Sequence, residues 1–229
     1  RNKLSNELIT RGKLPLVFKP FNIKKMKNKE ITASKKANGK IQYLTEILPE
    51  IPTNTILYKK LTGLGATYGE LKANRNSIII EPNKPVISGK CKDPKHKDDN
   101  LFGVYEGVYA DNIMAYIERS IKQNKHFKIL TTPEGFKKVR KAADKSYSLI
   151  QETYFCLFDE CEKLTQDCDY RASILQPVYD FFDFKEKAFV SATPLEVSHP
   201  AFEGQGFKKL EIVPVSYTHL RAHETLANL

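Results

Sequence analysis

The feature that most constrains this chain is a series of short, apolar, β-prone runs separated by segments with helical periodicity. The runs are Thr55–Leu61, Ser77–Glu81, Phe102–Tyr109, Phe127–Thr131, Thr153–Phe158, Lys187–Val190 and Lys208–Val213. Strands that alternate with helices in this way bury both of their faces. The pattern therefore predicts an α/β fold built on a mostly parallel sheet, with helices on both faces.

The segments between these runs have their own predictions. Apolar residues at helical spacing and helix-start signals predict helices at 41–48, Tyr68–Ala73, Asp111–Lys122, after Pro133 and at Tyr170–Phe181. Asp111 is the predicted N-cap of its helix. The polar segment Lys84–Asp99 is predicted to be a loop. In parallel sheets, binding sites form where the strands end, so polar residues at strand ends are the candidates for function.

The positive charge of the chain is concentrated at its start. The first forty residues contain twelve Lys and Arg against two Glu, which gives a net charge of +10, equal to that of all 229 residues. Such a basic arm favours a polyanion partner, most simply nucleic acid, although a solvated arm that aids solubility has the same composition. Tyr105, Tyr109 and Tyr116 lie among polar residues and are candidates either for base stacking or for ordinary packing.

The strongest chemical signal is Cys156-Leu-Phe-Asp-Glu-Cys-Glu162, in which an apolar strand ends in two adjacent carboxylates. Nucleotide hydrolysis needs one carboxylate to hold Mg²⁺, which prefers hard oxygen ligands and keeps part of its hydration. It also needs a group that orients the attacking water. We assign Asp159 to the metal and Glu160 to the water. The alternative is a strand that simply ends in solvated acids.

Two further motifs lie at predicted strand ends. The Gly-rich segment Leu61–Thr67 stands between a strand and a helix, where Gly63 and Gly65 allow the backbone to approach phosphate oxygens and Thr67 offers a hydroxyl to Mg²⁺. The run Ser191, Ala192 and Thr193 follows a β-rich segment. Small hydroxyl residues at such a position can couple the carboxylate pair to a nucleic acid or to another domain.

The order of these segments resembles superfamily 2 helicases. The Gly-rich loop, Ser77–Pro82, Thr131–Pro133, Asp-Glu-Cys-Glu and Ser-Ala-Thr are similar to their motifs I, Ia, Ib, II and III, over about residues 55–195. The resemblance implies a RecA-like domain with ATP and Mg²⁺ as cofactors. It also implies the following site: Gly63, Gly65, Ala66 and Thr67 at the nucleotide, Thr67 and Asp159 at the metal, Glu160 and Asp159 in catalysis, Ser191, Ala192 and Thr193 in coupling, and Pro82, Thr132 and Pro133 on a nucleic-acid track.

One residue departs from the family pattern. Superfamily 2 helicases have lysine before the threonine of the phosphate loop, and here Ala66 takes that position. The lysine neutralises phosphate charge and helps the transition state, so its loss predicts a weak or inactive ATPase unless another cation replaces it. Lys59, Lys60 and Lys72 are near enough in sequence to be candidates.

The predicted organisation has three parts: a basic arm at 1–50, the first RecA-like domain at 51–214 and a tail at 215–229. The tail is excluded from the fold because Val215–Thr225 resembles a translated sequencing-library adapter, so a second RecA-like domain is expected to be missing from this fragment. The phosphate loop followed by Glu70 is similar to helicase-like proteins of phages and mobile elements. The chain lacks a signal-peptide pattern and any long apolar run, so a cytoplasmic protein without membrane contact is expected.

Three functions fit these residues. The first is an ATP-dependent translocase or helicase, represented by its first motor domain, which Asp159 and Glu160 favour. The second is a non-hydrolysing nucleic-acid-binding module with a degenerate nucleotide site, which Ala66 favours. The third is a nucleotide-binding switch without nucleic acid, against which the basic arm argues.

Overall fold

The computed structural model describes residues 27–36, 38–60, 63–161, 180–193, 202 and 204–214, and they build one sheet of eight strands. The strands are β1 Lys27–Ala33, β2 Thr55–Tyr58, β3 Ser77–Ile80, β4 Leu101–Val104, β5 Lys128–Thr131, β6 Phe155–Phe158, β7 Glu186–Ser191 and β8 Lys208–Pro214. They lie in the order β1-β8-β2-β7-β6-β3-β5-β4, and every neighbouring pair is parallel. The predicted parallel α/β fold is confirmed.

Helices cover both faces of the sheet. They are α1 Leu44–Ile47, α2 Ala66–Lys72, α3 Lys84–Lys92, α4 Ala110–Lys122, α5 Phe136–Ala143 and α6 Tyr147–Thr153, with 3-10 turns at Pro94–His96 and Asp144–Ser146. Consecutive strand residues point to opposite faces, so Ile78 and Ile80 lie in one core cluster and Ile79 in the other. Buried residues of α1 to α3 share the cluster of Ile79, and those of α4 to α6 share the cluster of Ile78.

The central strands are the most deeply buried part of the fold. All four residues of β3, β5 and β6 are buried, as their largely apolar sequences predict for a sheet covered on both sides. One face is rich in phenylalanine, and Phe189 of β7 lies 4.2 Å from Phe181 between ring centroids. Each such side chain contributes about 1.5–3 kcal/mol through burial.

The prediction of a loop at Lys84–Asp99 is wrong, because most of this segment is helical. The Asn83 side chain accepts a hydrogen bond from the backbone N–H of Val86 at 3.2 Å and caps α3. Ile87 is the buried residue of this helix. A helix that buries so little has no apolar periodicity, which explains why the sequence pattern failed to indicate it.

The predicted N-cap of α4 is also wrong. The helix begins at Ala110, and Tyr109 is its N-cap residue. The Tyr109 N–H donates to the side chain of Asn112 at 2.9 Å, which satisfies one backbone donor at this end. Asp111 therefore lies inside the first turn, where its negative charge still favours the helix.

The strand β1 lies within the stretch 1–50 that was predicted to be a basic arm. Residues 27–33 pair in register with β8, from Lys27 opposite Lys208 to Ala33 opposite Pro214. This strand is at the edge of the sheet and mostly exposed, so it has the polar sequence of an arm while its backbone belongs to the sheet. Residues 1–26, the tail 215–229 and the predicted helix before residue 180 lie outside the described residues.

None of the helices in the described part of the chain is both long and apolar enough to cross a membrane.

Candidate nucleotide site at the carboxyl edge of the sheet

The candidate residues follow the strands at one edge of the sheet. Because all strands are parallel, the residues that end them share this edge. Along the strand order β2-β7-β6-β3-β5, the edge carries Lys59, Ser191, Asp159, Glu81 and Thr132 in turn. The predicted convergence of the candidate motifs on one edge is therefore present in the fold.

Thr67 and Asp159, the two residues predicted to hold the metal, are in direct contact. The hydroxyl of Thr67 donates a hydrogen bond to Oδ2 of Asp159, across 92 residues of sequence. Both residues are buried, with 8% and 4% of their surface exposed. A hydroxyl and a carboxylate held together in this way are a pair of hard oxygen donors, the chemistry that Mg²⁺ prefers.

The loop before α2 has the backbone that its glycines permit. Gly63 and Gly65 have φ of 76° and 78°, in the left-handed region where a side chain is strained. Apart from its chain neighbours, no heavy atom of the described residues lies within 4 Å of the place that a Cβ on Gly63 would take, so the described residues leave this side of the loop open. Since α2 has only seven residues, we attribute the site to the loop and its side chains rather than to a helix dipole.

Ala66, where the resemblance leads one to expect a lysine, is buried. Its exposed fraction is 2%, and it packs with Leu64 and Leu71 in one core cluster. The methyl group at this position thus contributes to the core, whereas a lysine would have to extend out of it.

The two motif II carboxylates occupy different environments. Asp159 donates its N–H to the carbonyl of Ile80 at 3.0 Å, which extends the pairing of β6 with β3. Glu160 has φ of 48°, a left-handed conformation that costs a non-glycine residue about 1–2 kcal/mol. The Glu160 N–H donates to Oδ1 of Asp159 at 3.0 Å, and the Cys161 N–H donates to the Val190 carbonyl at 3.1 Å. These bonds hold a tight turn that leaves Asp159 buried and Glu160 partly exposed.

The predicted coupling run closes a small turn at the end of β7. The Ser191 hydroxyl donates to the carbonyl of Thr193 at 2.6 Å, and the Thr193 N–H donates back to Ser191 Oγ at 3.1 Å. The Ser191 carbonyl also accepts the N–H of Lys59 at 2.9 Å. Ser191, Ala192 and Thr193 therefore lie between the end of β2 and the end of β6, and Ser191 is bonded to the first of these through the backbone.

Sequence reasoning missed Glu81, a third carboxylate at this edge. Glu81 is 1% exposed and forms an ion pair with Lys90 of α3. Burial, together with the negative charge of Asp159, raises its pKa to about 7. The sequence did contain the signal, because Glu81 ends an apolar strand just as Asp159 does, and strand ends in parallel sheets share one edge.

The three candidate lysines have different partners. Lys59 Nζ lies 3.6 Å from Oδ1 of Asp159, inside the site. Lys60 pairs with Glu211 at 2.5 Å, and Lys72 pairs with Asp99 at 2.7 Å. Asp99 precedes β4 and so lies at the amino edge of the sheet, away from the candidate site.

The residues predicted to lie on a nucleic-acid track are not exposed. Pro82, Thr132 and Pro133 are all buried, and Thr132 Oγ1 accepts the N–H of Gly135 at 3.0 Å. These residues shape the strand exits. Of the three tyrosines, Tyr116 is buried in the core and Tyr109 is 71% exposed.

Protein side chains alone would not supply all the ligands of a metal ion in this site. In the described part of the chain, no three His, Cys, Asp or Glu side chains are grouped to hold a metal ion. Magnesium at a nucleotide site needs only one or two protein oxygens, because phosphate and water supply the rest. The Thr67–Asp159 pair fits that requirement.

Comparison with known proteins adds little to this geometry. No family model matches the chain, and no curated protein matches it significantly. Among solved structures, the chain is similar to the Pyrococcus furiosus Hef helicase domain, with 15% sequence identity and a TM-score of 0.39. The similarity covers 80% of this chain and 41% of that domain structure, so the chain spans less than half of its length.

Proposed function

We propose that the carboxyl edge of the sheet binds a magnesium nucleoside triphosphate, in the first instance ATP, and that the chain is the first motor domain of a helicase-like protein. The observation that carries this proposal is the contact between Thr67 and Asp159. The two residues come from motifs that are far apart in sequence, and they meet as buried hard-oxygen donors beside an open glycine loop.

Each residue of the site has a separate role. Thr67 and Asp159 would hold Mg²⁺, which when bound neutralises charge on phosphate oxygens. The backbone at Gly63 would approach the phosphates, since no side chain of the described residues beyond its chain neighbours lies within 4 Å of its Cβ position, and the left-handed Gly65 would complete the loop. Glu160 is partly exposed beside Asp159 and would orient the attacking water and accept its proton.

Nucleic acid is the proposed partner of the same edge. Exposed Tyr109 lies on the β4 side of the edge, and the Lys138 ammonium is 5.8 Å from its ring centroid. An exposed aromatic ring with nearby positive charge suits the stacking of a nucleic-acid base. A second RecA-like domain would complete the motor and couple hydrolysis to movement along the strand.

A second function, a nucleic-acid-binding module that does not hydrolyse ATP, is favoured by one observation. Ala66 replaces the lysine that acts on the transition state and is packed in the core. A site of this kind would keep the Thr67–Asp159 pair and the glycine loop but lose the rate of ATP hydrolysis.

Binding is the first test of the proposal. Titration of the 229-residue chain with a fluorescent ATP analogue should show Mg²⁺-dependent binding that EDTA abolishes. We expect Asp159→Asn and Thr67→Val each to weaken that binding by about tenfold or more. Asp111→Asn, an exposed change on α4, is the matched control and should bind as the wild type does. Binding that is insensitive to EDTA and to Asp159→Asn would refute the nucleotide site.

Hydrolysis separates the two functions. In the motor, Glu160→Gln should retain ATP affinity while turnover in the presence of single-stranded nucleic acid falls by about a hundredfold. If the wild type binds ATP but releases no phosphate, even with a second motor domain supplied, the non-hydrolysing module is the better description.

A further inference from the structure

We propose that Lys59 is the phosphate-contacting cation of this site and replaces the lysine that the phosphate loop lacks. The inference rests on the nucleotide site proposed above and names a residue outside the phosphate loop for that role. Its basis is the position of the Lys59 ammonium group beside the Asp159 carboxylate, which would hold the metal.

The backbone of Lys59 is fixed at the entrance to the site. Its N–H donates to the Ser191 carbonyl at 2.9 Å, at the end of the β2–β7 pairing. The next residue, Lys60, has φ of 50°, a left-handed backbone conformation that ends the extended run of β2. Lys59 therefore leaves the sheet at the same edge as the loop and in a defined direction.

The Lys59 side chain reaches the centre of the site. Only 12% of it is exposed, and its Nζ lies 3.6 Å from Oδ1 of Asp159. The other oxygen of the same carboxylate accepts the Thr67 hydroxyl. An ammonium group, a hydroxyl and a carboxylate thus meet at one point, where a phosphate bound through Mg²⁺ would lie within reach of Lys59.

The contact between the Lys59 ammonium group and the Asp159 carboxylate is long, so Lys59 can exchange it for another partner. Strong charged hydrogen bonds between nitrogen and oxygen measure about 2.7–2.9 Å, whereas this pair is 3.6 Å apart. With its carboxylate holding Mg²⁺, Asp159 would no longer be the partner of the Lys59 ammonium group, which would then contact a phosphate oxygen. The exchange requires rotation about side-chain bonds and no movement of the backbone.

Two other lysines of this region, Lys60 and Lys90, form ion pairs with residues other than Asp159. Lys60 is held by Glu211 at 2.5 Å, and Lys90 is paired with the buried Glu81. Lys59 then supplies the positive charge that offsets a triphosphate brought next to Asp159 and Glu160.

Affinity for nucleotides of different charge tests the inference in the 229-residue chain. With Mg²⁺ present, Lys59→Gln should weaken binding of a fluorescent ATP analogue by about tenfold or more, which corresponds to about 1.4 kcal/mol. The loss for the matching ADP analogue should be smaller, because one phosphate fewer is contacted. Lys60→Gln is the matched control, since this neighbouring lysine faces Glu211, and it should bind as the wild type does. Lys59→Arg should recover part of the loss.

The outcomes separate the two proposals. If Lys59→Gln binds ATP as tightly as the wild type while Asp159→Asn has lost binding, the role of Lys59 is refuted and the nucleotide site stands. If the wild type itself shows no Mg²⁺-dependent binding, both proposals are wrong. An equal loss for ATP and ADP would show that Lys59 only supports the fold and would also refute its role. Melting temperatures identify a misfolded variant, and Lys59→Met, which keeps the aliphatic stem, then repeats the measurement.

Discussion

Replacement of Glu81 by glutamine should stabilise the protein, and more so as the pH rises. Glu81 is 1% exposed, lies near Asp159 and is only partly compensated by Lys90, so its pKa is raised from 4.5 to about 7. The folded chain therefore keeps this proton up to about pH 7, whereas the unfolded chain releases it near pH 4.5. Between these values the folded state binds more protons, and the free energy of unfolding falls as the pH rises.

The size of the effect follows from that difference. A pKa of about 7 against 4.5 corresponds to about 3 kcal/mol between the two states of the carboxyl group. The penalty is about 1 kcal/mol at pH 5 and about 3 kcal/mol at pH 8. Glutamine has a similar shape and no charge, so Glu81→Gln should remove this penalty. For a chain of this length, the gain at pH 8 corresponds to roughly 6–12 °C in melting temperature.

Urea denaturation at pH 5 and pH 8 measures the effect directly. Glu118→Gln, an exposed change on α4, is the matched control and should shift the free energy of unfolding by less than about 0.5 kcal/mol at either pH. Lys90 keeps contact with water, since 24% of its side chain is exposed, so the loss of its partner should not reverse the gain. A gain that is equal at both pH values, or a loss at pH 8, would refute the reasoning.

Three further changes test other parts of the structure. Ala66→Lys should add no ATP affinity if Lys59 supplies the charge. It should also lower the free energy of unfolding by about 1–3 kcal/mol, because it overpacks a buried position. A tenfold gain in ATP turnover would instead show that no other cation acts there. Phe189→Ala should cost about 3–5 kcal/mol in urea denaturation, because it leaves a cavity among stacked aromatic rings, and a cost below about 1 kcal/mol would contradict that packing. Residues 1–26 hold seven basic residues and one acidic residue, so their removal should weaken binding to single-stranded nucleic acid. The slope of log K against log salt concentration should become shallower by about 0.7 for each lost phosphate contact. An unchanged slope would show that residues 1–26 make no such contacts.

The fold class could be predicted because it depends on short local patterns. Runs such as Ile78–Ile80 and Phe155–Phe158 are apolar throughout, which only a strand covered on both faces tolerates. Polar elements were harder to predict: α3 buries little beyond Ile87, and β1 is an exposed edge strand. Where an element buries almost nothing, its sequence carries no periodicity from which it could be inferred.

The candidate site, like the fold, could be predicted from the sequence only in part. The sequence by itself determined which residues end the strands, and parallel strands then bring Thr67 and Asp159 to one edge. The choice between Lys59 and Lys60 was made only by the tertiary structure: one ammonium group faces Asp159 and its neighbour faces Glu211. The reason is that consecutive residues at a strand exit point in different directions, and their partners come from strands far away in the chain. The raised pKa of Glu81 has the same origin, because burial and the charge of Asp159 exist only once β3 and β6 lie side by side.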